Sequence, residues 1–326
     1  MIVPQYWAEA TRQHRQPGKQ RTVRRFGWSE TSQAEADAMA QSRAEEALQR
    51  WLAGDKIVAR EPKVAYNGAA GVPIREEVLS RHGTSVVTRN AYGAHCLNTP
   101  HALFADIDFE PRVSGKQLLA ALIVSLCLSI FVVWWSGEWK LGLSVGVVSA
   151  PLVWIMFARL MQLVVHLRGG EQKVARNRLE AFLHQHPHWN VRVYETPAGL
   201  RLLATHQPFA ASDPQVAEFF RALRVDPVYV RMCLNQNCFR ARLTAKPWRI
   251  GIASHMRPRP GVWPVKPERM AERDAWIRTY ETQAAGYAAC RYVESLGSGR
   301  IHADIRPVME LHDQEARALR TELAIA

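Results

Sequence analysis

Two carboxylates two residues apart carry the sharpest chemical possibility in this sequence. They lie in Phe104-Ala105-Asp106-Ile107-Asp108-Phe109. On a strand, alternate residues share a face, so Asp106 and Asp108 point together beside Phe104, while Ala105, Ile107 and Phe109 face a core. Adjacent carboxylates raise each other's pKa unless a cation lies between them. Oxygen ligands of this kind favour Mg2+ or Mn2+, and a pair of such ions activates a hydroxyl and stabilises a leaving pyrophosphate. A solvated pair at a strand end is the alternative reading of the same spacing.

The second constellation is basic. Arg221, Arg224, Arg231, Arg240, Arg242, Lys246 and Arg249 stand against a single acid, Asp226, with Tyr229, Phe239 and Trp248 interleaved and Asn235, Gln236 and Asn237 adding polar reach. Cationic side chains match phosphates, and aromatic faces stack on bases. The same run also suits a surface against anionic lipid. Other combinations lead less far. Cys233 and Cys238 would need two more ligands to hold zinc, and His255 completes no set, so no zinc is expected. His184, His186 and His188 fall at a helix end and read as solvated. His302, His312 and Asp313 show no triad spacing. Neither a phosphate-loop motif nor a dinucleotide fingerprint occurs.

The elements that must position these residues can be read from pattern. The chain has 326 residues, 48% hydrophobic and 22% charged, with a net charge of +12. That composition excludes a mainly disordered or collagen-like chain. Five cysteines exclude a disulfide scaffold, and the positive balance favours anionic partners. Strands are expected over 5–13 and 20–27 around a Gln16-Pro17-Gly18 turn. A helix should follow over 32–52, with Ser32 and Glu35 as a capping box. Asn67-Gly68 marks a turn, 73–82 a short helix, and 85–90 and 102–109 strands. Further on, the pattern gives a helix over 171–186, strands over 190–195 and 200–205, and a helix over 213–223. A strand or loop is expected over 226–250, a proline-rich loop over 255–267, and helices over 268–285 and 310–323.

Residues 117–135 carry no charge, and residues 141–165 carry only Arg159. Each stretch is long enough to cross a hydrocarbon core of about 30 Å. Only five residues join them, and Trp134, Trp135 and Trp139 cluster at that end as in an interfacial belt. Arg112, Lys116, Arg168, Lys173, Arg176 and Arg178 flank the other end, which places both termini on the cytoplasmic side; in a bacterium this is the inner membrane. No apolar signal core opens the sequence, which agrees. Gly142 and Gly146 form a small-residue pair on which the hairpin can self-associate into a homo-oligomer.

The order of features resembles the archaeo-eukaryotic primase superfamily, in particular its primase-polymerase members. A strand with D-x-D is followed by a helix, then by two strands around a small-residue turn, then by a basic strand. The resemblance spans 85–110 and 171–250. It implies that Asp106 and Asp108 hold catalytic metal and that Asp226 is the third acid. It further implies that Thr196-Pro197-Ala198-Gly199-Leu200-Arg201 is the phosphate-contacting motif, with Gly199 matching and Arg201 standing where the family has histidine. The stretch from Phe239 through Arg240 and Arg242 to Lys246 is similar to the family's arginine–lysine segment.

The sequence thus reads as α+β, a mixed cytoplasmic domain interrupted by a two-helix transmembrane hairpin. Its parts are an N-terminal region over 1–84, a first core segment over 85–116, the hairpin over 117–165, a basic second core segment over 166–254, and a tail over 255–326. The expected function is nucleotide or nucleic-acid binding through Gly199, Arg201, Arg231, Arg240, Arg242 and Lys246. Nucleotidyl transfer would run on Mg2+ or Mn2+ at Asp106 and Asp108, with Asp226 assisting. The competing reading is a non-enzymatic, membrane-tethered interaction or lipid-contacting module.

Overall fold

The computed structural model describes residues 1–16, 19–61, 73–109, 115–167 and 169–326; the Asn67-Gly68 turn and most of the Gln16-Pro17-Gly18 turn lie outside them. The chain opens on a long antiparallel ribbon. β1 (Tyr6–Gln16) pairs with β2 (Lys19–Ser29), from Tyr6 opposite Ser29 to Gln16 opposite Lys19. Helix α1 (Gln33–Leu52) lies on the ribbon through Ala36, Ala40, Ala44 and Ala47. Spacings of four and three keep these small side chains on one stripe. The backbones therefore come close, and a Cβ on Gly27 would sit 2.1 Å from the Ala36 carbonyl oxygen. Ser32 caps the helix as the sequence predicts, its Oγ accepting from the Glu35 N–H at 3.2 Å.

A four-stranded antiparallel sheet follows. It contains β3 (Glu77–His82), β4 (Ser85–Arg89), β5 (His95–Thr99) and, from far along the chain, β9 (Phe239–Arg242), in the order β3-β4-β5-β9. β3 corrects the expected helix over 73–82. The Gly83-Thr84 turn, with Gly83 at φ +58°, folds the segment back on β4, and cross-strand pairing overrides the local helical pattern.

The second sheet runs β11-β7-β8-β6 and holds the D-x-D strand β6 (Phe104–Asp108) beside β8 (Gly199–Ala204); β7 (Asn190–Thr196) and β11 (Arg291–Gly297) complete it. Strands β5 and β11 had no clear sequence signal.

Residues 226–250 are also not simply strand or loop. Asp226 caps α6 (Pro227–Gln236), its Oδ1 accepting from the Val228 N–H at 2.8 Å, Pro227 opens the helix, and Asn237 closes it at φ 47°. The remaining helices are α5 (Pro214–Leu223), α7 (Met270–Ala284) and α8 (Arg306–Glu315), the last starting four residues before its expected position because Pro307 sets its first turn. Short strands β10 (Tyr287–Ala288) and β12 (Ala324–Ile325) pair in parallel. Trp189 anchors much of the core, with its ring against His206, Phe209 and Phe219 at 4.6–5.0 Å.

Residues 1–107 and 183–326 form one compact unit, and residues 108–182 form another. The second holds α2 (Gly115–Ser136), α3 (Trp139–Leu167) and most of α4 (Gly170–Gln185). Helices α2 and α3 are long and apolar enough to cross a membrane. They pack antiparallel along a seam of small residues. A Cβ on Gly142 would lie 2.2 Å from the Val133 side chain, and one on Gly146 would lie 2.1 Å from Ser129 Oγ. Large apolar side chains such as Leu119, Leu126, Phe131, Leu143 and Val147 point outward and stay exposed.

The tight contact at Gly27 generates a prediction. Gly27→Val forces β2 and α1 apart, because the added carbons meet backbone, which cannot yield by a rotamer change. A loss of about 2–3 kcal/mol is expected, read as a lowered melting temperature with the helical signal retained below it.

Candidate functional site

The sequence-marked residues divide sharply by burial. Arg201, on β8, is 2% exposed and closes on its neighbour strand's Asp106 in a two-pronged ion pair. Nε donates to Oδ1 at 2.9 Å and Nη2 to Oδ2 at 3.2 Å. Its third nitrogen, Nη1, donates to the Arg242 carbonyl at 2.7 Å. Burial works against the guanidinium charge, but Asp106 outweighs it and holds the pKa above the usual arginine value. The Asp106 side chain remains about one-third exposed, at 32%. Gly199 lies two residues before Arg201, opposite Thr196 at the Pro197-Ala198 turn, as the sequence places it.

The network continues beneath the pair. His312 on α8 is fully buried, with Nε2 3.5 Å from Arg201 Nη1 and Nδ1 3.2 Å from Asp313 Oδ1. A neutral ring that donates from Nδ1 to Asp313 leaves Nε2 free to accept from Arg201. Tyr194 OH donates to Asp313 at 2.7 Å, and Arg192 Nη2 donates to its other oxygen. Cys290 Sγ lies 3.9 Å from His312 Nε2, so cysteine, histidine and aspartate stand in line. That line is not an activated nucleophile. Burial pushes the Cys290 thiol up to about 11, and attack requires thiolate. None of Cys290, His312 and Asp313 was legible as a set, since spacing along the chain carries no trace of it.

Arg240 makes a second closed pair. Its Nη2 donates to both oxygens of buried Glu76 at 2.9 Å, and its Nη1 donates to Asn98 Oδ1 at 3.1 Å. Thr88 donates to the same carboxylate at 2.6 Å. Arg242 donates to the Thr244 and Ala326 carbonyls, and burial holds its pKa down. The Tyr229 hydroxyl sits 3.0 Å from the carbonyls of both Phe104 and Arg240, so α6 bridges the two sheets.

The remaining candidates lie outward. Arg231 and Asp108 are exposed. Asp226 is half-buried, its N–H 3.5 Å from the Asp106 carbonyl and its side chain capping α6. Lys246 Nζ stands 5.5 Å from the Trp248 ring centre. The fold therefore brings Asp106, Arg201 and the Asp226 backbone together, but it spends Arg201, Arg240 and Arg242 on internal bonds. The run of bases is not one face.

Nor do the residues present fit a divalent ion at Asp106. Both of its oxygens already accept from a guanidinium, whose charge does the neutralising work that a metal would do. Among the described residues, no group of three or more histidine, cysteine, aspartate or glutamate side chains is arranged to hold a metal.

Asp106→Ala strands a buried guanidinium and is expected to cost about 3 kcal/mol, seen as a fall in melting temperature of several degrees. The apolar double substitution Asp106→Leu/Arg201→Met should cost less than the single one. The molecule should also weaken in mild acid. Burial lowers the pKa of His206 to about 4, helped by His188, and burial lowers that of His312 too. Unfolding lets both rings take up protons near 6.5, so their contribution is complete above that pH and is lost as the pH falls toward 4. A melting-temperature series over that range should slope downward, and His206→Gln should flatten it. Comparison of the chain with family models, with curated proteins and with solved structures finds no match.

Proposed function

We propose that this chain is a membrane-anchored protein in which two spans hold an α+β domain that works as a non-enzymatic binding module. The observation that carries the anchoring is what α2 and α3 expose. Both helices have spanning length, their small residues are used up on each other, and their large apolar side chains face outward. Water does not tolerate such a surface, and hydrocarbon does. The flanking bases Lys116, Lys173, Arg176 and Arg178 favour an arrangement with both termini on the cytoplasmic side. Gly142 and Gly146 are taken up in the α2–α3 seam, so self-association of the hairpin would have to use its outward apolar faces instead of this pair. The closed Asp106–Arg201 pair supports binding over catalysis, because the carboxylate that would hold a metal is already neutralised.

A second reading has its own observation. Asp106 and Arg201, to which the likeness to the primase superfamily gives metal-holding and phosphate-contacting roles, stand side by side on β6 and β8. On this reading the domain binds nucleotide or nucleic acid, with Gly199, Arg231 and Lys246 nearby in the sequence pattern and Asp106, Asp108 and Asp226 as its acids. It requires Arg201 to release Asp106 when the ligand binds.

Two measurements divide the possibilities. Alkaline carbonate should leave the full chain in the membrane pellet; release into the supernatant would end the anchoring proposal. Calorimetry of the detergent-solubilised chain with nucleoside triphosphate and Mn2+ should give no saturable heat. A saturable, Mn2+-dependent signal lost in Asp108→Asn, with the melting temperature of that variant unchanged, would replace the module reading with the nucleotide one.

A further inference from the structure

Between Asp226 and Glu268 the sequence holds no acidic residue. Its bases split between interior and surface. Arg240 and Arg242 turn inward. Arg257, Arg259 and Lys266 are exposed and Arg249 is half-exposed. Among the described residues, these four side chains make no ion pair or hydrogen bond. Beside them Trp248 is 57% exposed, an unusual place for so large an apolar ring.

These groups are gathered by packing. The turn at residues 90–93 is their common support. The Trp248 ring meets Tyr92 edge-on at 5.3 Å. Gly261 backs so closely onto the same turn that a Cβ there would lie 2.2 Å from the Ala91 carbonyl oxygen, with Met256 against its other side. Ala245, Ile250 and Ile252 share one apolar cluster with Tyr92, Trp276 and Tyr280, and Trp276 Nε1 donates to the Ser254 carbonyl at 3.2 Å. Residues 246–261 thus form a fixed collar around one turn, carrying Trp248, Arg249, Arg257 and Arg259. On the neighbouring elements Glu281, Glu77 and Glu272 are committed to pairs, while Asp274 on α7 is exposed. Glu281 binds Arg89 and His95 at 2.8 and 2.9 Å, and Glu77 binds Arg89 and Arg273.

We propose that this collar docks on the anionic surface of a lipid bilayer. The proposal rests on the membrane-anchored reading, since a tethered domain meets lipid headgroups at high effective concentration. Unpaired arginines match headgroup phosphates. An exposed indole among them suits the interfacial layer, where its apolar body is buried and its N–H stays wet.

The test uses the full chain in neutral phosphatidylcholine nanodiscs, mixed with separate vesicles and sedimented. Incorporation into the nanodisc reads the anchoring, and capture by the second bilayer reads the collar, so the two can fail independently. Capture is expected with phosphatidylglycerol-rich vesicles, not with phosphatidylcholine vesicles, and it should vanish at high salt. Arg249→Gln/Arg257→Gln/Arg259→Gln should bind roughly 100-fold more weakly, about fivefold per arginine, with an unchanged melting temperature because these side chains bond to nothing. Trp248→Ala should weaken capture separately. Absence of capture by anionic vesicles, or equal capture of the triple variant, would overturn the proposal. So would binding of a single-stranded oligonucleotide through the same arginines without vesicle capture.

Discussion

A buried guanidinium must be neutralised and hydrogen-bonded or the fold around it fails, and Arg201 sets that demand at the centre of this molecule. Removing such a charge from water costs several kcal/mol before any partner is counted. Asp106 answers with both oxygens, the Arg242 carbonyl takes a third bond, and His312 offers its ring nitrogen. Each partner comes from a different element: β6, β9 and α8. Satisfying one side chain therefore fixes the mutual placement of two sheets and a helix, which apolar contact alone specifies less sharply. Arg240 imposes the same condition in the first sheet, through Glu76, Asn98 and Thr88.

This allocation of charge decides how the excess of positive residues is used. A basic stretch gives no hint, as sequence, of which members are structural. Their partners settle it for Arg240 and Arg242 on β9, which bond to Glu76 and Asn98 and to the Thr244 and Ala326 carbonyls. The loop that follows carries its bases outward on a support built from Tyr92, Met256, Trp276 and Tyr280. Among the described residues, positive charge ties the interior together at Arg201 and Arg240 and stands exposed on the collar at Arg257 and Arg259. The apolar helices follow a similar economy, with small residues consumed in the seam between α2 and α3 and large ones left on the outside.

Much of the architecture was legible. The Ser32 cap, the ribbon, the β7–β8 hairpin and the two long apolar helices all have local signatures that survive into the fold, although Glu35 turns to Ser29 and Thr31 instead of closing a capping box. Where the sequence misled, tertiary pairing had overruled local pattern. Residues 77–82 became a strand because β4 lies across a two-residue turn, and β5 and β11 are held by neighbours distant in the chain. For α6 the signals lie in Asp226, Pro227 and Asn237, but the helix is short and its mixed apolar and polar residues carry little periodicity. Asp106 and Arg201 fall side by side, yet an ion pair between residues so far apart leaves no mark on spacing. The Cys290–His312–Asp313 line was invisible for the same reason.

Arg201, in place of a metal ion, supplies the charge that Asp106 needs in this arrangement. Electron paramagnetic resonance of Mn2+ titrated into the full chain tests it directly. The free-ion signal is expected to keep its full amplitude at stoichiometric protein. Saturable loss of that signal, reversed in Asp108→Asn, would contradict it and reopen the site to metal chemistry.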